Sequence, residues 1–218
     1  MERLLITNIG ILATPLGTGP RKGPDQGNIK LLKDAWVLME DGVIVHVGTG
    51  PAPAADSVID AQGSLATPGL VDAHTHLIFG GWRQNELGLK LRGKTYLEIQ
   101  NGGGGIQSTT NATRQATEEE LTRKAAQALD EMMSFGVTTC EAKSGYGLAT
   151  EHELKALQVI ENLSHRHPMD IVPTFMGAHL VPAEYKQDRE AYIRLVCEEM
   201  IPKVKEQGIA RYCDVFCE

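Results

Sequence analysis

The stretch GLVDAHTHLIFGG, residues 69–81, decides the fold of most of this chain. It begins as an apolar run and ends in polar residues, which is typical of the C-terminal end of a buried parallel strand. His74 and His76 stand two residues apart at that end. Side chains at i and i+2 of a strand point to the same face, so we expect both imidazoles to project into the crevice where α/β proteins bind ligands.

Three later runs repeat this strand pattern: GVTTCEAKSG (136–145), MDIVPTFMGAH (169–179) and ARYCDVFCE (210–218). Helical patterns lie between the runs, so the chain alternates strand and helix. This alternation predicts βαβ units and a parallel sheet. A closed eight-stranded barrel needs roughly 250 residues, of which this chain offers about 150 after its first part. The pattern therefore leaves two interpretations open, a small open α/β domain or the first half of a (β/α) barrel.

Two of the predicted helices have a similar start. Thr117 and Glu120 form a capping box at the head of the first, and Thr150 and Glu153 are predicted to repeat the device at the second. The third predicted helix contains Pro202, where we expect it to be kinked or divided.

Residues 1–65 have a different pattern and are predicted to form a small, sandwich-like β unit. Asp41-Gly42 stands between two alternating apolar runs, which is a strong β-hairpin signal. The predicted domains are therefore 1–65, the β unit, and 66–218, the α/β region.

Composition narrows the class of partner. The 218 residues include 21 Lys and Arg against 28 Asp and Glu, a formal charge of −7, and no basic stretch stands out. We therefore expect no nucleic-acid partner. No run is long and apolar enough for a membrane span, and the N-terminus lacks the features of a signal peptide. The four cysteines form no CxxC pair and are interpreted as reduced thiols in a cytoplasmic protein.

Two converging imidazoles on a strand suit one zinc or iron ion, which binds neutral ring nitrogens. The alternative is that His74 and His76 are ordinary core histidines. His165 and His167 have the same spacing, but they stand at a predicted helix end, where residues i and i+2 diverge. We interpret that second pair as a solvated helix terminus.

The segment that runs from the β unit into DAHTH resembles the amidohydrolase superfamily, in which a small β domain precedes a barrel whose first strand carries His-x-His. Four blocks narrow the resemblance to the imidazolonepropionase family: DAHTHLIFGGWRQNEL (72–87), GGGGIQSTTNATRQA (102–116), GVTTCEAKSGYGL (136–148) and FMGAHLVPAEY (175–185). The whole resemblance runs from about residue 35 to the last residue.

The resemblance implies a hydrolase that opens the imidazolone ring of 4-imidazolone-5-propanoate to give N-formimidoyl-L-glutamate, in histidine degradation, with one bound zinc or iron ion. Chains of this family are about twice as long, which favours the half-barrel interpretation. The other metal ligands would then lie on later strands, so we expect the 218 residues alone to be nearly inactive. The edge strands of a half-barrel would be unpaired, and two chains could pair through them to form a homodimer.

The resemblance also implies substrate-binding residues. Arg83 follows the first strand and could hold the propionate of the substrate through its guanidinium fork. Tyr146 is expected to contact the substrate. For Tyr96 two interpretations stay open: a hydroxyl that shares the carboxylate with Arg83, or an amphipathic residue that packs against its neighbours. His179 ends the third strand and is the candidate catalytic residue, which would hydrogen-bond the ring carbonyl or the developing oxyanion.

Two further features of the blocks have structural interpretations. The glycine run after Asn101 is predicted to form a flexible lid or a close backbone approach. Lys143 is expected to pair with Glu141 or Glu218 rather than to bridge two metal ions.

Two competing functions belong to other classes. One is a different amidohydrolase, such as a nucleobase-type deaminase. The other is a catalytically inactive half-chain that serves as a metal-binding or assembly module. A carboxylate-binding Arg83 argues against the first, because a neutral base needs no such contact.

Overall fold

A computed structural model of the chain describes residues 2–17 and 19–217, without the side chains of residues 100 and 101. It divides into two units, Met1–Pro68 and Gly69–Glu218. The first unit is one mixed five-stranded sheet with β1 at its centre. Its strands are β1 (Arg3–Pro15), β2 (Ile29–Glu40), β3 (Val43–Thr49), β4 (Ser57–Asp60) and β5 (Leu65–Ala66). β2 pairs antiparallel with β1 and with β3, whereas β4 and β5 pair parallel with β1.

The predicted hairpin joins β2 to β3. Asp41 and Gly42 form its two-residue turn, with φ angles of 49° and 80°. Positive φ at both positions is the geometry that matches the twist of the flanking strands, and it favours Asp-Gly in this order. The hairpin prediction is confirmed.

The second unit contains a four-stranded parallel sheet. Its strands are β6 (Leu70–Thr75), β7 (Val137–Lys143), β8 (Asp170–Ala178) and β9 (Tyr212–Val215). They pair in chain order and each pair is parallel. All four predicted runs are therefore strands, in the order and direction of the first four strands of a (β/α) barrel.

Helices connect these strands. Four lie between β6 and β7: α1 (Asn85–Leu91), α2 (Tyr96–Asn101), α3 (Gly105–Gln115) and α4 (Glu118–Ser134). One lies between β7 and β8, α5 (Thr150–Ser164), and two precede β9, α6 (Arg189–Arg194) and α7 (Ile201–Gln207). A π-helical segment, Leu195–Met200, joins α6 to α7 directly before Pro202. The missing N–H of proline removes a helical hydrogen bond, and the wider segment accommodates that loss, so the helix is irregular before Pro202 but continues without a break from Arg189 to Gln207.

The two predicted capping boxes have different outcomes. At α4, Thr117 Oγ1 accepts from the Glu120 backbone N–H at 3.1 Å, and the Glu120 carboxylate accepts from the Thr117 N–H at 2.9 Å. At α5 the prediction is wrong. Ala149 is the N-cap, and the Thr150 hydroxyl donates instead to Glu199 at 2.7 Å. The Glu153 carboxylate is used elsewhere, because it faces the loop that precedes the helix.

The core of the second unit lies between the sheet and its helices. On β7, Cys140 and Ala142 are fully buried in this core. The alternate residues Glu141 and Lys143 therefore belong to the opposite face of the sheet, which would be the interior of a barrel. None of the helices in the described part of the chain is long and apolar enough to cross a membrane.

Candidate active site

The His74/His76 pair lies at the C-terminal end of β6. His74 is the penultimate residue of the strand and His76 follows its last residue. Their rings lie edge to face with centroids 5.5 Å apart. His76 is half-buried, whereas His74 is exposed. The structure therefore places the two imidazoles next to each other at the edge of the sheet where the sequence predicted them.

The hydrogen bond of His76 determines which of its nitrogens is free. Nδ1 lies 3.4 Å from the carbonyl oxygen of Ser144, a long contact. A carbonyl only accepts, so Nδ1 carries the proton and Nε2 keeps its lone pair. Burial lowers the pKa of His76 to about 4, and the neighbouring His179 adds to this shift. The neutral ring that results is the form in which histidine coordinates metals.

His179 and Tyr146 lie against the same histidine. The His179 ring stacks on the His76 ring at 4.6 Å between centroids, and the Tyr146 ring lies 5.2 Å from each of them. His179 Nδ1 donates to the carbonyl oxygen of Gly145 at 2.7 Å, which leaves Nε2 of the neutral ring as an acceptor. Three predicted site residues therefore form one cluster.

A cavity of about 170 Å³ opens beside this cluster. Its lining includes His76, Arg83 and Tyr146, all of which the sequence predicted, and also Phe79, Trp82 and Thr109. The volume is well below the roughly 300–1,000 Å³ of pockets that hold drug-sized ligands. The cavity therefore suits a ligand of metabolite size, with an imidazole at one wall and a guanidinium at another.

Sequence reasoning did not identify the aromatic walls of this cavity. Phe79 and Trp82 belong to the loop that follows β6 and leads to Arg83, and their rings lie edge to face at 5.4 Å. The ammonium group of Lys124, on α4, lies 3.3 Å from the Phe79 ring centroid and 3.8 Å from that of Trp82. It also donates to the carbonyl oxygen of Gly81. Lys124 thus holds this loop from its outer side through cation–π contacts, a long-range contact that no local sequence pattern indicates.

Tyr96, the first residue of α2, is about half exposed and does not line the cavity. Tyr96 is one of the groups that shift the pKa of Tyr146. Burial raises the pKa of Tyr146; the positive charge of Arg83 opposes this rise, and Tyr96 adds to it. The structure therefore does not place Tyr96 on the wall of the cavity.

The glycine run before α3 makes a close backbone approach. A Cβ on Gly104 would lie 2.8 Å from Cγ2 of Ile99, so a larger residue would require a shift. The Gly105 N–H donates to the buried Glu86 carboxylate at 2.6 Å. Of the two interpretations offered by the sequence, these contacts support the close approach.

Lys143 pairs with two carboxylates on the face that would line a barrel. Its Nζ lies 2.7 Å from Glu141 and 2.9 Å from Asp214, and Thr174 also donates to Glu141 at 2.7 Å. The predicted pairing with Glu141 is confirmed, whereas Glu218 lies outside the described residues. Burial disfavours the charged amine, but the two carboxylates outweigh that effect and raise the pKa of Lys143. A carbamylated lysine would be an anion and could not donate to both acids.

The donor set for a metal is incomplete in the described part of the chain. No group of three or more His, Cys, Asp or Glu side chains is placed there to hold a metal ion. His74 and His76 nevertheless fit two positions of a mononuclear site, because they are adjacent and His76 presents a neutral nitrogen.

Comparison with known proteins identifies the relatives of this chain. No protein-family model matches it. The curated imidazolonepropionase of Alkaliphilus metalliredigens is 51% identical over 225 residues, which cover 100% of this chain and 53% of the relative. The imidazolonepropionase of Thermoanaerobacter pseudethanolicus is 50% identical over 99% of this chain and 52% of the relative. The chain belongs to the imidazolonepropionase family. It spans about half the length of the curated relatives it matches, and it corresponds to their N-terminal half.

Solved structures agree on the fold. Guanine deaminase from Escherichia coli has a TM-score of 0.58 at 17% identity, over 97% of this chain and 46% of that chain. A 5-methylcytosine deaminase from Klebsiella pneumoniae has a TM-score of 0.58 at 19% identity, over 98% of this chain and 51% of that chain. At these identities the likeness shows the fold alone, which is the first half of an amidohydrolase (β/α) barrel that follows a small β unit in the sequence. This excludes the open-domain interpretation.

Proposed function

We propose that this chain supplies the N-terminal half of the active site of an imidazolonepropionase. The reaction is hydrolysis of 4-imidazolone-5-propanoate to N-formimidoyl-L-glutamate. The observation that carries the proposal is that His76, whose ring lies 5.5 Å from that of His74, lines a small cavity together with Arg83. The family membership at about 50% identity supports it.

His74 and His76 would hold one metal ion, zinc or iron. Both ions accept imidazole nitrogens, and Nε2 of His76 is available for that purpose. An atrazine chlorohydrolase from Arthrobacter aurescens, which shares the fold at a TM-score of 0.52 and 16% identity, was solved with zinc. A metal ion at such a site supplies Lewis acidity, which activates water and polarises the carbonyl under attack.

Arg83 would bind the propionate group of the substrate. Its guanidinium can form two parallel hydrogen bonds to a carboxylate, which fixes the orientation of the ring relative to the histidines. Phe79 and Trp82 would cover the CH₂ groups of the propionate side chain of the substrate. Tyr96 would approach the carboxylate end from α2.

His179 and Tyr146 would contact the imidazolone ring. Neutral His179 accepts at Nε2, which suits a ring N–H of the substrate. Donation from the same nitrogen to the carbonyl or the oxyanion requires the imidazolium form. The Tyr146 hydroxyl can donate or accept a hydrogen bond, so it would stay hydrogen-bonded to the ring as the carbonyl carbon becomes tetrahedral.

The wider context of the protein is also a proposal. The four cysteines are free, and a reducing cytoplasm is the compartment that keeps thiols in that state. We propose a cytoplasmic enzyme of small-molecule metabolism, without a nucleic-acid or membrane partner. The homodimer stays a prediction.

The test uses a fusion protein, in which residues 1–218 replace the matching half of the Alkaliphilus metalliredigens relative. Supplied with zinc or iron, the fusion protein should hydrolyse 4-imidazolone-5-propanoate. Mass spectrometry of the product measures this reaction. The 218-residue chain alone should be slower by orders of magnitude, because its described residues present two histidines where a hydrolytic metal site needs at least three protein ligands. Ammonia release from guanine or cytosine, without imidazolonepropanoate turnover, would instead show a deaminase. A folded, metal-loaded fusion protein inactive on every substrate would favour the assembly module.

A further inference from the structure

The loop Ser144–Leu148, which we call the Tyr146 loop, has an unusual backbone. It leaves the end of β7 and carries Tyr146 to the cavity. Gly145 has a φ of 103° and Leu148 a φ of 51°. Glycine adopts the left-handed region freely, but a leucine there is strained and needs surrounding contacts to hold it.

Glu153, in the helix that follows the loop, provides such contacts. Its side chain is fully buried in the first turn of α5. One carboxylate oxygen accepts from the Gly145 N–H at 3.0 Å, and the other accepts from the Leu148 N–H at 2.8 Å. A buried carboxylate is costly unless it is hydrogen-bonded, and here both oxygens are used on the two residues with positive φ.

Arg114 holds the same loop through its carbonyl groups. From the end of α3 its guanidinium donates to the carbonyl oxygens of Gly147 at 2.7 Å and Leu148 at 3.1 Å. It also forms an ion pair with Glu184 at 2.7 Å, in the segment that follows His179. An acid and a base on separate helices therefore bind the N–H and the C=O groups of one five-residue loop.

The Tyr146 loop in turn determines the state of His179. The Gly145 carbonyl accepts the Nδ1 proton of His179 at 2.7 Å, and the Gly145 N–H is bound by Glu153. A Cβ on Gly145 would lie 3.2 Å from Nδ1 of His179, so the peptide and the ring are in close contact. Movement of this peptide would change both the position and the tautomer of the imidazole.

We propose that Glu153 and Arg114 are positioning residues, which clamp the Tyr146 loop and thereby fix the placement of Tyr146 and the Nδ1-protonated tautomer of His179. This inference rests on the proposed function, in which both residues contact the substrate. Neither Glu153 nor Arg114 lines the cavity. Their effect on the reaction is indirect, through the peptide groups of residues 145–148.

The first variant is Glu153→Gln, which keeps the shape of the side chain. Its amide oxygen can accept from one loop N–H, but its NH₂ group would face the other. The matched control is Glu151→Gln, which removes an exposed negative charge from the same helical turn. Arg114→Gln opens the clamp from the carbonyl side at a partly exposed position, so it provides an answer if Glu153→Gln does not fold. Arg114→Lys restores the charge and should recover part of the effect.

The readout is the tautomer of His179, measured by NMR on the ¹⁵N-histidine-labelled 218-residue chain. We expect wild type and Glu151→Gln to show Nδ1-protonated His179, and Glu153→Gln and Arg114→Gln to show a substantial Nε2-protonated population. In the fusion protein the same two variants should lose about 10- to 100-fold in kcat/KM, as expected for small displacements of contacting groups. An unchanged tautomer in a folded Glu153→Gln or Arg114→Gln chain would overturn the proposal. An inactive wild-type fusion protein would count against the proposed function, while the tautomer would still decide the clamp.

Discussion

The chain contains two His-x-His pairs of identical spacing, which differ in the element that carries them and in the groups that they contact. His74 and His76 lie at the end of a strand beside a cavity. His165 and His167 lie at the end of α5, where His165 contacts Glu161 at 3.0 Å and His167 contacts Asp130 at 3.2 Å. One ring nitrogen of each histidine in the second pair therefore contacts a carboxylate, whereas His76 keeps Nε2 free. The predicted solvated helix terminus is confirmed for His165, which is 71% exposed, but is wrong for His167, whose side chain is 8% exposed. The spacing is the same, so the element that carries a pair decides what its imidazoles can do.

The largest expected effect is on activity. In the fusion protein, His76→Ala should lower kcat/KM by about 1,000-fold or more, because a catalytic metal contributes several kcal/mol to transition-state stabilisation. His167→Ala should change kcat/KM by less than about twofold, since His167 does not line the cavity and substitutions outside the site act mainly on stability. Steady-state kinetics at matched metal loading gives both values. Similar losses in the two variants would remove the distinction between the pairs.

An arginine next to each pair allows a smaller test. Arg83 lines the cavity, while Arg166 is exposed between His165 and His167. Arg83→Met should raise KM about 10- to 100-fold with little change in kcat. Charge-assisted hydrogen bonds contribute about 1.5–3 kcal/mol, and this one exists both before and during the reaction. Arg166→Met is the control and should have the KM of the wild type. An unchanged KM in Arg83→Met would exclude Arg83 from substrate binding.

Within the second pair, the two histidines should differ in their contribution to stability, and His167 should contribute more than His165. The His167 side chain is 8% exposed, and its Nδ1 accepts from the Met169 N–H at 3.2 Å while Nε2 donates to Asp130. His167→Ala should therefore lower the free energy of unfolding by about 1–2 kcal/mol. His165→Ala removes a ring that is 71% exposed and should cost less than about 0.5 kcal/mol. Urea unfolding of the 218-residue chain measures both. Equal losses would mean that neither the burial of His167 nor its contacts with Asp130 and Met169 contribute measurably to stability.

Much of the architecture could be predicted from local patterns. The four strands, the hairpin at Asp41-Gly42 and the capping box at Thr117 depend on residues close in sequence, and each is present. The His74/His76 pair could be placed because a strand has only two faces. His179 and Tyr146 could be placed because the C-terminal ends of parallel strands lie at one edge of the sheet.

The remaining features depend on contacts between distant segments. Thr150 and Glu153 match a capping box, but the Glu153 carboxylate is taken by two N–H groups of a strained loop, which no pattern in α5 reveals. Asp214 joins Lys143 only through the register of separate strands. Phe79 and Trp82 were not identified from the sequence, because the lysine that holds them lies on α4. Such pairings are set by tertiary packing, so local sequence does not determine them.

Metal binding by the 218-residue chain tests the central claim most directly, since it needs neither substrate nor the other half of the family's length. Zinc would be titrated calorimetrically into wild type, His74→Ala/His76→Ala and His165→Ala/His167→Ala, each shown to be folded. We predict that wild type and the His165/His167 variant bind one equivalent with the same affinity, and that the His74/His76 variant binds at least about tenfold more weakly. Unchanged affinity in the His74/His76 variant, or a loss confined to the His165/His167 variant, would contradict the assignment of the first pair as metal ligands.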